Sequence, residues 1–223
     1  RFLARFPDVR QLAAAPQDEV LALWSGLGYY SRARNLHRCA QIVVAEHGGE
    51  FPRTVHELAA LPGIGRSTAG AIAAFCYGVR APILDANVRR VLTRALGFGA
   101  DLAEARNERA LWSLAEALLP DTDLASTMPR YTQGLMDLGA GICLPRSPCC
   151  MLCPLQPVCV AGRAGDAERY PVRTRKLKRR AEAWWLLLRQ DGAGRLWLER
   201  RASAGIWAGL YCPPVYACRQ DLD

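Results

Sequence analysis

Over the first two thirds of the chain, apolar residues recur at three- and four-residue intervals, the period of helices with one buried face. Residues 9–24 predict two short helices, the second opened by Asp18 and Glu19 and stopped near Gly26. A longer helix is predicted over 29–46, with Leu36, Cys39, Ala40, Val43 and Val44 on its apolar face and Gly48-Gly49 ending it. Thr54 followed by Glu57 is a capping box, and opens a helix that runs to about Leu61. After Leu61-Pro62-Gly63-Ile64-Gly65 a small-residue helix spans about Ser67 to Tyr77, closed by Gly78. Residues 79–86 read as extended, and Asn87 starts a helix over Val88–Leu96. Amphipathic helices are predicted over 104–119, ended by Pro120, and over 127–141. Up to residue 160 the pattern contains no convincing strand, so this part is all-helical.

The pattern changes after residue 160. Residues 161–181 are polar and basic, with six Arg or Lys between Arg173 and Arg180. That run fits a solvated linker, with contact to a nucleic-acid backbone as a second role. Two short apolar runs, 183–189 and 195–200, flank Asp191-Gly-Ala-Gly194 and predict a β-hairpin. Trp184 and Trp185 fit its core better than a ligand platform. The predicted order is a helical domain over 1–160, a basic linker over 161–181, and the opening of a β-containing domain over 182–223. The last piece is too short to bury a core of its own.

Composition narrows the function classes. Hydrophobic residues make up 51% and charged residues 22%, which excludes a disordered chain. No apolar run reaches the length of a membrane span. The chain begins with Arg1 and carries no signal-peptide pattern, so it reads as a piece of a longer protein. The net charge is +8, which suits an acidic partner such as nucleic acid and equally suits a biased genome. Only Lys176 and Lys178 are lysines, so no side-chain primary amine precedes residue 176.

Five of the nine cysteines fall between Cys143 and Cys159. Such clustering points to a metal site in a reducing compartment rather than a secreted disulfide scaffold. Cys143, Cys150, Cys153 and Cys159 give the spacing C-x6-C-x2-C-x5-C. Four thiolates hold zinc or an iron–sulfur cluster. There is one C-x2-C pair, and all three histidines lie before residue 57, which favours [4Fe–4S] over zinc. Cys149 offers a competing spacing; Cys150 is preferred because it makes the tight chelate with Cys153.

Leu61–Gly65 between two helices is a helix–hairpin–helix element. Its glycines let the backbone turn and approach a ligand, and the N–H groups opening the next helix can hold a phosphate oxygen. Asp85, after Pro82-Ile-Leu84, serves either as a helix cap or as a functional carboxylate about twenty residues past the hairpin.

The hairpin, the Leu84-Asp85-x-Asn87-Val88 segment and the four-cysteine loop together resemble the endonuclease III superfamily of DNA glycosylases. Leu23-Trp24-Ser-Gly-Leu-Gly28-Tyr29-Tyr30-Ser-Arg32-Ala-Arg34-Asn35-Leu36 and Gln133-Gly-Leu-Met-Asp137-Leu-Gly-Ala-Gly-Ile-Cys143 resemble its MutY branch of adenine glycosylases. Gly205-Ile-Trp207-Ala-Gly209-Leu-Tyr211-Cys-Pro213 is similar to a segment of that branch's Nudix-like C-terminal domain, which recognises 8-oxoguanine. The resemblance implies a mainly α glycosylase core with a [4Fe–4S] loop and the beginning of that second domain. The implied activity is base-excision repair, removing adenine mispaired with 8-oxoguanine or guanine in double-stranded DNA. The enzyme would be a monomer at the DNA of a bacterial cytoplasm, without membrane contact.

Several roles carry over with the motifs. Asp85 would stabilise the oxocarbenium-like sugar, with Asn87 ordering the pocket. Pro62, Gly63, Gly65 and Ser67 would face DNA. Tyr29 matches the aromatic that enters the duplex beside 8-oxoguanine, and Leu27 adjoins it. Tyr30 reads as a core residue. Arg32 and Arg34 suit phosphate contacts or a solvated helix face. The catalytic Glu of the family lies upstream of the segment matching Arg1–Pro7, so the 223-residue piece alone is expected to be impaired. Ser67 stands where endonuclease III-like lyases carry the Schiff-base lysine, which implies a monofunctional enzyme. Two alternatives remain: a pyrimidine glycosylase with lyase activity, and a lesion-binding protein without catalysis.

Overall fold

In the computed structural model, which describes residues 1–174 and 181–222, helices start where short polar side chains can cap them. Helix α1 (Phe2–Arg5) is a single turn, and α2 (Val9–Ala14) opens on Asp8, whose carboxylate accepts the Gln11 N–H at 2.8 Å. Helix α3 (Gln17–Leu23) carries Asp18 and Glu19 in its first turn, where the helix dipole favours negative charge. Helix α4 (Tyr30–His47) ends at Gly48. Helix α5 (Val55–Ala60) has Thr54 as its cap: the Thr54 hydroxyl accepts the Glu57 N–H at 3.2 Å and donates to Glu57 Oε2 at 2.5 Å. Helix α6 (Arg66–Tyr77) follows the hairpin. Helices α7 (Ala86–Leu96), α8 (Ala105–Ala117) and α9 (Leu124–Asp137) complete the larger elements. A π-helical turn, Leu138–Ile142, leads into the cysteine loop, and α10 (Val160–Ala164) leaves it.

Helices α2 and α3 pack on α4, α5 packs on α6, and α7 is central, touching α9, the π turn and α10. Cys39, Ala40 and Val43 of α4 are buried as the periodicity predicts. Leu36 instead faces solvent and Val44 is half-buried, because α4 meets its neighbours along a narrower stripe. Leu58 and Val43 are fully buried between α4, α5 and α6, each contributing about 1.5–3 kcal/mol.

The C-terminal segment corrects the predicted hairpin. Its turn forms: Asp191 Oδ1 accepts the N–H groups of Ala193 at 2.9 Å and Arg195 at 3.0 Å. Beyond the turn only a single bridge, Gln190 to Leu196, joins the two runs. Strand β1 (Trp185–Leu186) pairs with β4 (Val215–Tyr216), and β2 (Glu199–Arg200) pairs with β3 (Tyr211–Cys212), all antiparallel. Each flank of the turn therefore finds its partner in the return segment rather than in the other flank. Trp184 packs edge-on against Trp207 at 5.6 Å between centroids, while Trp185 remains exposed.

The start of the basic segment is clipped to the core. Leu102 N–H donates to Val172 O at 3.0 Å, and Asp101 accepts both the hydroxyl and the N–H of Thr174. Residues 175–180, including Lys176, Lys178 and most of the basic run, lie outside the described residues. The Thr174 hydroxyl, followed by the Ala103 N–H, holds the Asp101 carboxyl below its ordinary value of 3.8. A lowered native value means the clip is complete above 3.8 and is lost as pH falls through the native value. Carboxyl and amide NMR titration should therefore show Asp101 and Thr174 moving together with a midpoint below 3.8. A midpoint at or above the ordinary value would exclude the clip.

Candidate active site and cysteine loop

The two hairpin glycines do different work. Gly63 has φ +79°, and a Cβ there would stand 2.8 Å from Asn35 Cβ, so it provides both the turn and the close seat on α4. Gly65 has an ordinary φ of −85° and open space around it. Its lack of a side chain bares the start of α6, which has no side-chain cap. The N–H groups there are left for an anionic ligand. Pro62 is half-buried beside them. Arg66, exposed at the same end, lies over the Trp112 ring of α8 at 4.0 Å.

Ser67 turns inward, and its hydroxyl accepts the Leu84 N–H at 2.9 Å. The next residue, Asp85, caps α7: Oδ1 accepts the Asn87 N–H at 2.6 Å and the Val88 N–H at 3.1 Å. The helix therefore starts two residues earlier than the predicted Val88, at Ala86, because Asp85 rather than Asn87 supplies the cap. The cap uses one oxygen and leaves the other free of it. Oδ2 has no hydrogen-bond partner among the described residues, and the side chain is half-buried.

Asn87 is exposed, and its Oδ1 accepts Arg90 Nη2 at 3.0 Å. Arg90 also donates to Gly139 O and Cys143 O, both at 2.7 Å. Gly139 sits so close that a Cβ would lie 2.8 Å from Asn87 Cβ. One turn further along α7, Arg94 is only 2% exposed. Its guanidinium donates to Ala167 O at 2.7 Å, Leu144 O at 2.6 Å and Pro145 O at 3.1 Å, and reaches Cys143 Sγ at 3.3 Å. Helix α7 thus carries the candidate carboxylate at one end and anchors the cysteine loop along its length. The sequence reading missed both arginines, because arginine is ordinarily a solvated residue. Their signal was spacing: Arg90 and Arg94 fall one turn apart on the face that also holds Val91 and Val88.

Cys143, Cys150, Cys153 and Cys159 line one cavity beside Arg94 and Leu155. Cys149 is exposed and is not part of its lining, whereas Cys150 is. Burial pushes the Cys153 thiol up, and negative charge on Cys143, Cys159 and Cys150 pushes it the same way. Four thiols lining one cavity, one of them beside a buried guanidinium, suit a group that binds thiolates and lowers their mutual repulsion. Among the described residues no group of three or more His, Cys, Asp or Glu side chains is arranged to hold a single ion.

The third feature is a turn at the start of α4. Tyr29 is 74% exposed and Leu27 67% exposed. Tyr29 has φ +47°, a left-handed conformation uncommon outside glycine. Trp24 Nε1 holds this turn by donating to Gly28 O at 3.0 Å. Arg32 is exposed, with its guanidinium 4.7 Å from the centre of the Tyr29 ring. Arg34 points elsewhere, donating to Ala208 O at 2.8 Å, and Arg200 pairs with Asp18 at 2.9 Å. The C-terminal segment is thereby seated on α3 and α4 beside Tyr30. His37, given no role from sequence, is buried and bonded to Ala15 O at 3.0 Å.

Comparison with known proteins adds three findings. A family model described as "HhH-GPD superfamily base excision DNA repair protein" matches residues 1–117. The adenine DNA glycosylase of Buchnera aphidicola subsp. Acyrthosiphon pisum (strain APS) is 36% identical over 222 residues, covering 99% of this chain and 62% of that protein. Among solved structures, a thermostable thymine-DNA glycosylase superposes with a TM-score of 0.64 at 31% identity, covering 73% of each chain. A non-covalent endonuclease III–DNA complex superposes with a TM-score of 0.59 at 28% identity, covering 74% of each. The chain spans about three fifths of the length of the curated Buchnera relatives it matches over nearly its whole extent. Among the described residues no helix is long and apolar enough to cross a membrane.

Proposed function

The chain belongs to the HhH-GPD superfamily of base excision DNA repair proteins, and on that premise we propose that it is the catalytic core of an adenine DNA glycosylase acting on adenine opposite 8-oxoguanine. The observation that carries this reading is the arrangement of Asp85 and Ser67. A half-buried carboxylate with one unengaged oxygen stands next to a hairpin helix whose residue 67 carries an inward-turned hydroxyl and no amine. Similarity to proteins named adenine DNA glycosylase supports the choice of base.

The chemistry follows from the geometry. The adenine nucleotide leaves the stack to be reached. Breaking its N-glycosidic bond sends the electron pair to adenine, which takes a proton from a general acid, and leaves positive charge on the sugar; the fixed Asp85 carboxylate stabilises that charge until water adds to the sugar carbon and loses a proton. The start of α6, with Gly63 and Gly65, holds a phosphate near the extruded nucleotide. Tyr29 and Leu27 stand out from the surface as the elements that enter the duplex beside the opposing base. Asn87 holds Arg90 and so keeps the start of α7 against Gly139. Ser67 cannot form a Schiff base, so the sugar–phosphate strand stays intact. On oligonucleotide duplexes the full-length protein is expected to prefer adenine:8-oxoguanine to oxidised thymine by at least about 100-fold in kcat/KM, which corresponds to roughly 3 kcal/mol. The reverse preference would favour a pyrimidine glycosylase.

We further propose that Cys143, Cys150, Cys153 and Cys159 hold a [4Fe–4S] cluster, which would cross-link the loop to itself, while Arg90 and Arg94 fasten that loop to α7. The spacing of the four cysteines, with one C-x2-C pair and no histidine after residue 56, supports a cluster over a single zinc ion. Cys150→Ser is expected to lose most of the protein's iron and its visible absorbance, while Cys149→Ser keeps both. Equal loss in the two variants would contradict the ligand assignment. We read residues 182–223 as the opening of a Nudix-like module for 8-oxoguanine, joined to the core by residues 161–181. The working protein is proposed to be a monomer at the bacterial chromosome.

A further inference from the structure

The sequence placed Ser67 at the DNA face, but its hydroxyl is engaged inside the protein. It accepts the Leu84 N–H at 2.9 Å, and Leu84 is 2% exposed. One turn along α6, Gly70 lies so close to Pro82 that a Cβ there would stand 2.4 Å from the Pro82 carbonyl oxygen. These two contacts fasten Pro82–Leu84 to α6. The residue that follows is Asp85, whose Oδ1 is held from the other side by the N–H groups of Asn87 and Val88. The peptide entering Asp85 is thus fixed by Ser67, and the side chain leaving it by the α7 cap.

We infer that Ser67 is a positioning residue for Asp85, acting through the Leu84 peptide and not by touching DNA. The inference rests on the proposed role of Asp85. A hydroxyl can accept the Leu84 N–H, whereas a lysine ammonium has no acceptor and alanine has neither. Without that acceptor the Leu84 N–H, buried by its own side chain's environment, is left to find another partner, and the peptide shifts. A carboxylate that stabilises a transition state by its position loses rate when displaced, by up to about 100-fold for a shift of about 1 Å. Binding, which depends on the hairpin amides and the Tyr29 turn, does not use this contact.

The test compares Ser67→Ala and Ser67→Thr with wild type in the full-length protein. Three quantities are read: the single-turnover rate of adenine excision, the Kd for the adenine:8-oxoguanine duplex, and hydrogen exchange at the Leu84 amide. Ser67→Ala is expected to slow excision about tenfold, keep Kd within about twofold and speed Leu84 exchange at least tenfold. Ser67→Thr, which keeps the hydroxyl, is expected to restore all three. Weaker binding with an unchanged excision rate would overturn the inference and return Ser67 to the DNA face. Faster exchange with unchanged excision would overturn it as well. A wild-type protein that releases no adenine fails the functional reading instead. In that case the Asp85 carboxyl carbon resonance decides, since it must move in Ser67→Ala and return in Ser67→Thr; a resonance that stays put overturns the inference.

Discussion

Replacing Asp85 with asparagine should reduce adenine excision by about 10²–10³-fold while leaving the fold and the affinity for duplex DNA nearly unchanged. The expectation separates two roles that one side chain holds. As a cap, Asp85 uses Oδ1 to accept the N–H groups of Asn87 and Val88. Asparagine offers the same carbonyl oxygen and caps as well as aspartate, so stability should change by no more than about 0.5 kcal/mol. As a charge, Asp85 is proposed to face the sugar with its other oxygen, and asparagine would bring no negative charge there. Asp85→Ala removes both roles and should lose the rate together with about 1 kcal/mol of stability. Thermal melting with single-turnover kinetics on the three proteins gives the answer. An Asp85→Asn protein that excises at the wild-type rate would leave this residue only its structural task.

The second large effect is expected at Arg94, which is buried. Arg94→Met keeps much of the side chain's apolar length and removes every donor. Ala167, Leu144 and Pro145 then present carbonyls to the interior without their partner. Each orphaned acceptor costs about 1–3 kcal/mol, so the variant should lose about 3–5 kcal/mol in all. The damage should concentrate in the cysteine loop, because two of the three carbonyls and Cys143 Sγ belong to it. Iron retention should fall before global unfolding is seen. Melting by circular dichroism, with iron measured on the same samples, tests this. Wild-type stability together with wild-type iron content would show that the guanidinium is not the loop's anchor.

These two residues mark what the sequence discloses and what it does not. The type of Asp85 and its place after an extended segment left it open between a helix cap and a functional carboxylate, and the structure shows the cap. The Thr54–Glu57 cap and the Gly63 turn were legible because local chemistry determines them. Arg94 was not legible, since nothing local distinguishes a buried arginine from a solvated one until the carbonyls from residues 144, 145 and 167 converge on it. Gly70 and Gly139 read as small residues in helices; their close approaches to Pro82 and Asn87 are made between elements distant in sequence. Ser67 was found by its position, but its partner, seventeen residues away, was not. At the C-terminal end the Asp191 turn was legible and the pairing was not. Short strands with exposed faces do not fix their own register.

The account stands most directly on the product of the reaction. Full-length protein is incubated with a duplex holding one adenine:8-oxoguanine pair, without alkali, and free adenine, strand length and borohydride-trapped adduct are measured together. The expected result is one adenine released per site, an intact strand that breaks only on later alkali treatment, and no adduct forming at the rate of turnover. An adduct that accumulates with turnover, or a strand cut without alkali, would contradict the assignment of Ser67 and Asp85 to a monofunctional adenine glycosylase.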